Sequence, residues 1–261
     1  MLFTQLIQAN LTTQRLGRSI EHFPATESTN TEAQELATEG APEGTVITTD
    51  NQTAGRGRHG ESWFCGTGKG LAFSVVLRPG IKGKSAGLLP LLAGIAVAEA
   101  LEQFNLQPAL KWPNDILLNR KKCGGILMEG KFKGELLSSA VIGIGLNVNE
   151  RLIEFPADLQ ATATSILKET GKTVQRELLL ASILNSLEPW YHSLQSGATT
   201  DIISAWEDYC AHLHKGVSFL RKGQEMTGTF SGVAEDGEAI IKSGGDRLLL
   251  SSEEITILRE E

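Results

Sequence analysis

The sequence predicts an α+β fold with a helix-rich middle and a small β domain at its end. Three observations carry this reading. The chain has 28 glycines in 261 residues, eleven between residues 40 and 90 and six between 124 and 145, as expected of strands joined by tight loops. Only Gly171 and Gly197 interrupt residues 150–215, which therefore read as helical. Seven glycines fall after residue 215, where apolar residues alternate by twos in short runs.

The elements follow in order. Residues 19–24 read as a strand. Ser28, Thr29 or Asn30 can cap a helix that runs to about Glu39, with Glu32 in its first turn. Residues 45–51 read as a strand and 52–70 as a glycine-rich loop. The segment LAFSVVL (71–77) has the β-branched and aromatic content of a strand. A long apolar helix is expected over about 85–104, then strands near 109–118, 122–131 and 134–146. Residues 149–163 read as an irregular loop, and helices are expected at 164–170, 175–195 and 199–212. In the tail, VSFL, MTGTFSGV, EAIIK, RLLL and ITILR make five short strands in about 45 residues, which suggests a small antiparallel barrel. The expected division is 1–213 and 214–261.

Composition bounds the function. With 41% hydrophobic and 21% charged residues, disordered, fibrous and coiled-coil classes are excluded. A net charge of −7 argues against a general nucleic-acid binder and leaves room for a small basic pocket. Cys65, Cys123 and Cys210 form no CxxC and suit a reducing compartment. The start of the chain has no basic segment followed by an apolar run. The most apolar stretch, Leu88 to Ala98, is shorter than the roughly 20 residues that span a bilayer. A cytoplasmic protein with no membrane partner is expected.

Several short patterns fail their context. Gly55–Gly60 fits GxGxxG, but a strand follows it and not a helix. Gly125–Lys131 resembles a P-loop, yet Phe132 stands where the magnesium-holding hydroxyl belongs. Gly83–Gly87 fits GxSxG, but Pro79 and Gly80 part it from the strand, so Ser85 reads as a helix N-cap. His192, His212 and His214 lack metal-ligand spacing and read as surface or interhelical residues.

Three segments remain. Ser28-Thr29-Asn30 offers hydroxyls and free N–H groups at a helix start, suited to a polar ring or an anion. The run from Gln52 to Phe64 alternates glycine with arginine, giving a mobile loop of cations suited to polyphosphate or carboxylate, with Trp63 and Phe64 beside it for an apolar ligand or a base. Lys111-Trp112-Pro113-Asn114-Asp115, followed by Lys122 and Gly124-Gly125, puts two lysines near a carboxylate. That grouping suits charge stabilisation at a phosphoryl or acyl-phosphate centre.

In this order, ESTN, QTAGRGRHGESW, KWPNDILL, KKCGGIL and GIGLNVN resemble the biotin protein ligases over about residues 15–258. The resemblance implies a central mixed sheet flanked by helices, of the class II synthetase-like or biotin–lipoate ligase kind, with a C-terminal SH3-like barrel. It implies that biotin and Mg-ATP give biotinyl-5′-AMP, and that the acyl group then passes to a lysine of a biotin carboxyl carrier domain, typically that of acetyl-CoA carboxylase. By resemblance, Ser28, Thr29 and Gln52 meet the ureido ring, and Asn30 belongs to the biotin site. Gly55, Arg56, Gly57 and Arg58 form the loop that closes on biotin and adenylate, Arg58 retaining the intermediate. Trp63 covers the adenylate, Lys111 steadies the reacting oxygens, and Asn114 and Asp115 lie near ATP and Mg2+, Asp115 as the candidate metal ligand. Lys122 reaches the biotin carboxylate, Gly124 and Gly125 let a strand approach the bicyclic ring, Asn147 contacts the nucleotide and Phe155 packs on the base. The leader before Ser28 is too short for a DNA-binding domain of about 60 residues, so no DNA partner is expected. A homodimer through edge strands is the expected assembly. The alternatives are a lipoate or octanoate ligase or transferase of the same fold, a non-catalytic vitamin-binding regulator, and a serine hydrolase.

Overall fold

The structure, a computed structural model, describes residues 1–260. In chain order the elements are α1 (Thr4–Ala9), β1 (Ile20–Phe23), α2 (Thr29–Glu39), β2 (Val46–Thr49), β3 (Leu71–Leu77), β4 (Ile81–Lys82), α3 (Leu88–Gln103), β5 (Pro108–Lys111), β6 (Asp115–Leu118), β7 (Lys121–Lys133) and β8 (Leu136–Leu146). They continue as α4 (Ile166–Thr170), α5 (Arg176–Ser196), α6 (Thr199–Asp208), β9 (Gly216–Arg221), β10 (Gln224–Val233), β11 (Ala239–Ser243), β12 (Asp246–Leu250) and β13 (Ile255–Glu260).

The main sheet runs β1-β2-β3-β8-β7-β6-β5, with β4 beside β8. Only β1 and β2 are parallel, so the sheet is mixed. Alternation along the strands sorts its two faces. In β3, Leu71, Phe73, Val75 and Leu77 enter the large core with α3 and α5, while Val76 joins Ile47, Val141 and Ala33 under α2. Helices thus cover both faces. The second sheet is antiparallel, in the order β12-β11-β10-β9-β13, consistent with an SH3-like domain.

Some expectations shift. The single strand near 109–118 is two, β5 and β6, split at a cis Trp112–Pro113 peptide. Proline has no N–H to continue the ladder, so the chain turns there. The last helix stops at Asp208 and not 212, because the carbonyl of Leu110 takes the Ala211 N–H and the Tyr209 carbonyl takes the Leu110 N–H. Gly83–Gly87 is a short 3-10 turn, and Gly87, not Ser85, is the N-cap of α3. His212 is buried edge-on against Phe230, with Trp206 of α6 on another side, and is not a surface residue. Residues 83–103 are long and apolar enough to cross a membrane by length and composition. Here they supply the core helix: every residue from Leu88 to Ala98 except Pro90 is buried.

Candidate active site

One row of residues crosses five strands. Cross-strand register aligns Ala72 of β3 with Gly145 of β8, Gly145 with Gly125 of β7, Gly125 with Asp115 of β6, and Asp115 with Lys111 of β5. All five line a cavity of about 200 Å³ on the α2 face. The floor is built from side chains too small to fill it and ends in a carboxylate and an ammonium. A Cβ on Gly145 would meet the Trp63 indole at 2.5 Å, and one on Gly143 would meet Asn30 Oδ1 at 2.1 Å. Glycine is therefore what lets the loop and the helix start sit against this floor.

The wall beside Gly143 is a hydrogen-bonded polar cluster. Ser28, Thr29 and Asn30 are buried at the start of α2. Ser28 is the N-cap but makes no side-chain cap bond. Gln52 does that work from another segment: its Oε1 accepts from the Thr29 N–H at 2.9 Å and the Thr29 hydroxyl at 3.2 Å. The Ser74 hydroxyl lies 2.7 Å from both Thr29 Oγ1 and Asn30 Oδ1. Asn30 Nδ2 donates to Glu129 Oε2 at 2.7 Å and to the Leu127 carbonyl at 3.3 Å.

The glycine–arginine segment folds back as a narrow hairpin over this wall. Trp63 N–H donates to Gly55 O at 2.8 Å and Gly57 N–H to Glu61 O at 2.6 Å. Arg56 Nη2 reaches Thr31 Oγ1 at 3.2 Å and Glu129 Oε2 at 3.4 Å. Arg58 turns the other way and donates to the backbone carbonyls of Ser252 and Ile255 in the second sheet. Burial lowers its pKa, against support from Glu253, Asp115 and Glu61. Trp63 lies on Gly145 with its buried indole N–H unpartnered.

The cationic end is shaped by the β5–β6 hairpin. Lys122 Nζ sits 2.6 Å from Asp115 Oδ1. Burial pushes the Lys111 ammonium down from its ordinary pKa; Asp115 opposes this, and Lys122 and Arg259 add to it. Asn114 is committed to β7: its Nδ2 donates to the Ile126 carbonyl at 2.7 Å, and its own carbonyl accepts from the Ile126 N–H at 3.0 Å. Trp112 is buried and donates from Nε1 to Gly237 O at 3.1 Å. A second cavity of about 660 Å³ adjoins the first along Arg56–His59 and Trp112–Asn114 and opens between the main sheet and the second one.

Residues 22–147 match the biotin/lipoate A/B protein ligase family. The chain is 37% identical over 229 residues to the bifunctional ligase/repressor BirA of Bacillus subtilis, spanning 87% of this chain and 69% of that protein. The chain belongs to the biotin/lipoate protein ligase family. It is also 31% identical over 234 residues to the biotin--[acetyl-CoA-carboxylase] ligase of Paracoccus denitrificans, spanning 88% of this chain and 97% of that one. The biotin protein ligase from Aquifex aeolicus, solved with biotin and ATP, superposes with a TM-score of 0.80 at 29% identity, over 94% of this chain and all of that one. The chain is thus a ligase of the biotin protein ligase kind, with that family's mixed sheet and helices.

In this ligase the cavity collects thirteen of the residues singled out in the sequence: Ser28, Thr29, Asn30, Gln52, Arg56, Gly57, Arg58, Trp63, Lys111, Asn114, Asp115, Lys122 and Gly125. Four others lie off its wall. Gly55 backs the hairpin against Trp63. Gly124 is on the opposite pleat from Gly125, where a Cβ would meet Leu146 at 2.4 Å. Asn147 is buried, and its side chain donates to the Thr164 carbonyl at 3.0 Å. Phe155 is buried with its ring 5.6 Å from that of Phe64. Ser74 and Glu129 join the site without a motif of their own, and Gly143 and Gly145 join it from GIGLNVN, where only Asn147 was singled out. Glu129 had a weak signal, a charge on a strand otherwise apolar at Ile126, Leu127 and Met128.

A resident metal does not fit. Among the described residues no three His, Cys, Asp or Glu side chains come together to hold one. Of the two carboxylates that line the cavity, Glu61 and Asp115, Asp115 is already engaged by Lys122.

Proposed function

We propose that this ligase activates biotin with ATP and transfers the biotinyl group to a lysine of a carboxyl carrier domain, as in acetyl-CoA carboxylase. The observation that carries the reading is the row Ala72–Gly145–Gly125–Asp115–Lys111. It forms an apolar, glycine-lined floor with polar groups at one end and lysines at the other. A bicyclic ring fits the glycine floor, its ureido group facing Thr29 and Gln52, and its carboxylate facing Lys122 and Lys111.

In the first step a biotin carboxylate oxygen attacks the α-phosphorus of ATP, and the bond to the β-phosphate oxygen breaks. Pyrophosphate leaves and biotinyl-5′-AMP remains. Lys111 and Lys122 neutralise charge on the reacting oxygens, preorganised where charge develops. Magnesium enters as the companion of the nucleotide phosphates. In the second step the carrier lysine, as free amine, attacks the acyl carbon; AMP leaves and the amine loses a proton. The Arg56–Arg58 hairpin covers the mixed anhydride and keeps water out. Gly124, Asn147 and Phe155 support the site from behind. A cytoplasmic setting accords with three free cysteines.

The test is exchange of labelled pyrophosphate into ATP. Exchange that depends on biotin is expected, and Lys111→Ala should abolish it with the fold intact. Exchange with lipoate or octanoate but not biotin would replace this reading with the lipoyl one.

A further inference from the structure

The second sheet presents a prepared seat to the hairpin. Between β12 and β13 the chain makes a 3-10 turn, Ser252–Glu254, closed at both ends by a capping box. Glu254 Oε2 accepts from the Ser251 N–H at 3.1 Å and lies 3.4 Å from the Ser251 hydroxyl, while the Glu254 N–H returns to Ser251 O at 3.1 Å. From the end of β9, Arg221 Nη2 clamps the same carboxylate through Oε1 at 2.8 Å. The product of this arrangement is two backbone carbonyls, Ser252 and Ile255, aimed at one guanidinium nitrogen of Arg58. Carbonyls are held at fixed positions only if the turn that carries them is rigid, and Ser251, Glu254 and Arg221 supply the bonds that fix it, while the Glu253 charge faces Arg58. The sheet is itself fastened to the reaction centre, since Trp112, next to Lys111, donates to Gly237 O.

We propose that the Ser251–Ile255 turn is the seat that holds Arg58 over the adenylate, with Glu254 as a positioning residue for retention of the intermediate. The proposal rests on the ligase reading above. It makes the second sheet part of the lid: the hairpin closes by handing Arg58 to carbonyls of a different domain. Glu254 touches neither substrate nor Arg58 and acts through the shape of the turn.

The experiment uses the full chain, biotin and ATP, without carrier. Two rates are read: biotin-dependent pyrophosphate exchange, and escape of biotinyl-5′-AMP, seen as labelling of a bystander protein. Glu254→Ala should speed escape by about 2- to 30-fold, the range for losing a capping interaction, and affect exchange less. Glu254→Gln, which keeps an acceptor for Ser251 but loses the charge facing Arg221, should fall between. Ser251→Ala offers a milder opening of the turn if Glu254→Ala melts the sheet, and circular dichroism tells the cases apart. In an Arg58→Gly background Glu254→Ala should add nothing, because the group it positions is gone. Escape unchanged in folded Glu254→Ala and Ser251→Ala, or an additive effect in the double variant, would overturn the seat. Absence of exchange in the unaltered protein would instead overturn the ligase reading.

Discussion

Lys122 Nζ stands 2.6 Å from Asp115 Oδ1, so the lysine proposed to meet the substrate carboxylate already holds a carboxylate. Binding then exchanges one anion for another. Lys122→Ala should raise the KM for biotin by roughly 10- to 150-fold, the equivalent of a charge-assisted hydrogen bond. Asp115→Asn should leave Lys122 less restrained and lower kcat more than it raises KM. Steady-state exchange kinetics separate the two, and equal shifts in both variants would count against the exchange.

Gly143 faces Asn30 with no room for a methyl group. Gly143→Ala should displace the Asn30 side chain and break its bonds with Ser74 and Glu129. A loss of about 1–3 kcal/mol in biotin binding is expected, roughly 5- to 150-fold in Kd by calorimetry. Wild-type affinity would show that the Asn30 cluster does not shape the pocket.

Lys111 is held below the ordinary lysine pKa, chiefly by burial. Its ammonium form is therefore lost at a lower pH than that of a free lysine, and kcat/KM for adenylation should fall on the alkaline side. Bound anions favour the charged form, so the alkaline limb of kcat should lie at higher pH than that of kcat/KM. Lys111→Arg should keep part of the activity and lose the limb. Coincident limbs, or a limb that survives in Lys111→Arg, would mean that another group titrates.

Asp50 links the end of β2 to α5. Arg176 Nη2 lies 2.9 Å from Asp50 Oδ1, and Arg176 Nη1 donates to Gly70 O at 3.0 Å. Burial works to raise the Asp50 pKa, but the bond and charge of Arg176, with the N-terminus and His22, bring the net value below normal. A depressed carboxylate stabilises fully above its unfolded pKa of about 4 and loses that contribution as pH falls through the folded value. Arg176→Leu should cost about 3–5 kcal/mol by denaturant unfolding, because it strands a mostly buried charge. Asp50→Asn should flatten the acid limb of stability. A variant as acid-sensitive as the wild type would remove Asp50 from that role.

The regular parts of the fold were legible because their signals are local. LAFSVVL marks β3, and the alternating tail marks the five-stranded sheet. Site residues with motif chemistry were legible too. What escaped depends on partners distant in sequence. Gln52 caps α2 across 23 positions, and Glu129 meets Asn30 across 99. Gly143 and Gly145 become site residues only through the register that lays β8 beside β7 and β3. Gly124 and Gly125 look equivalent in sequence, and only the pleat separates them. Arg58 carries a motif, but its seat is made of backbone, which has no sequence signature.

The hydrogen bond from Trp112 to Gly237 has a practical corollary. Lys111 and the turn that receives this bond lie on opposite sides of the chain segment that joins the two sheets. The two sheets are therefore joined by the chain and also by this bond, and a cut in that segment would leave the bond as a link between the pieces.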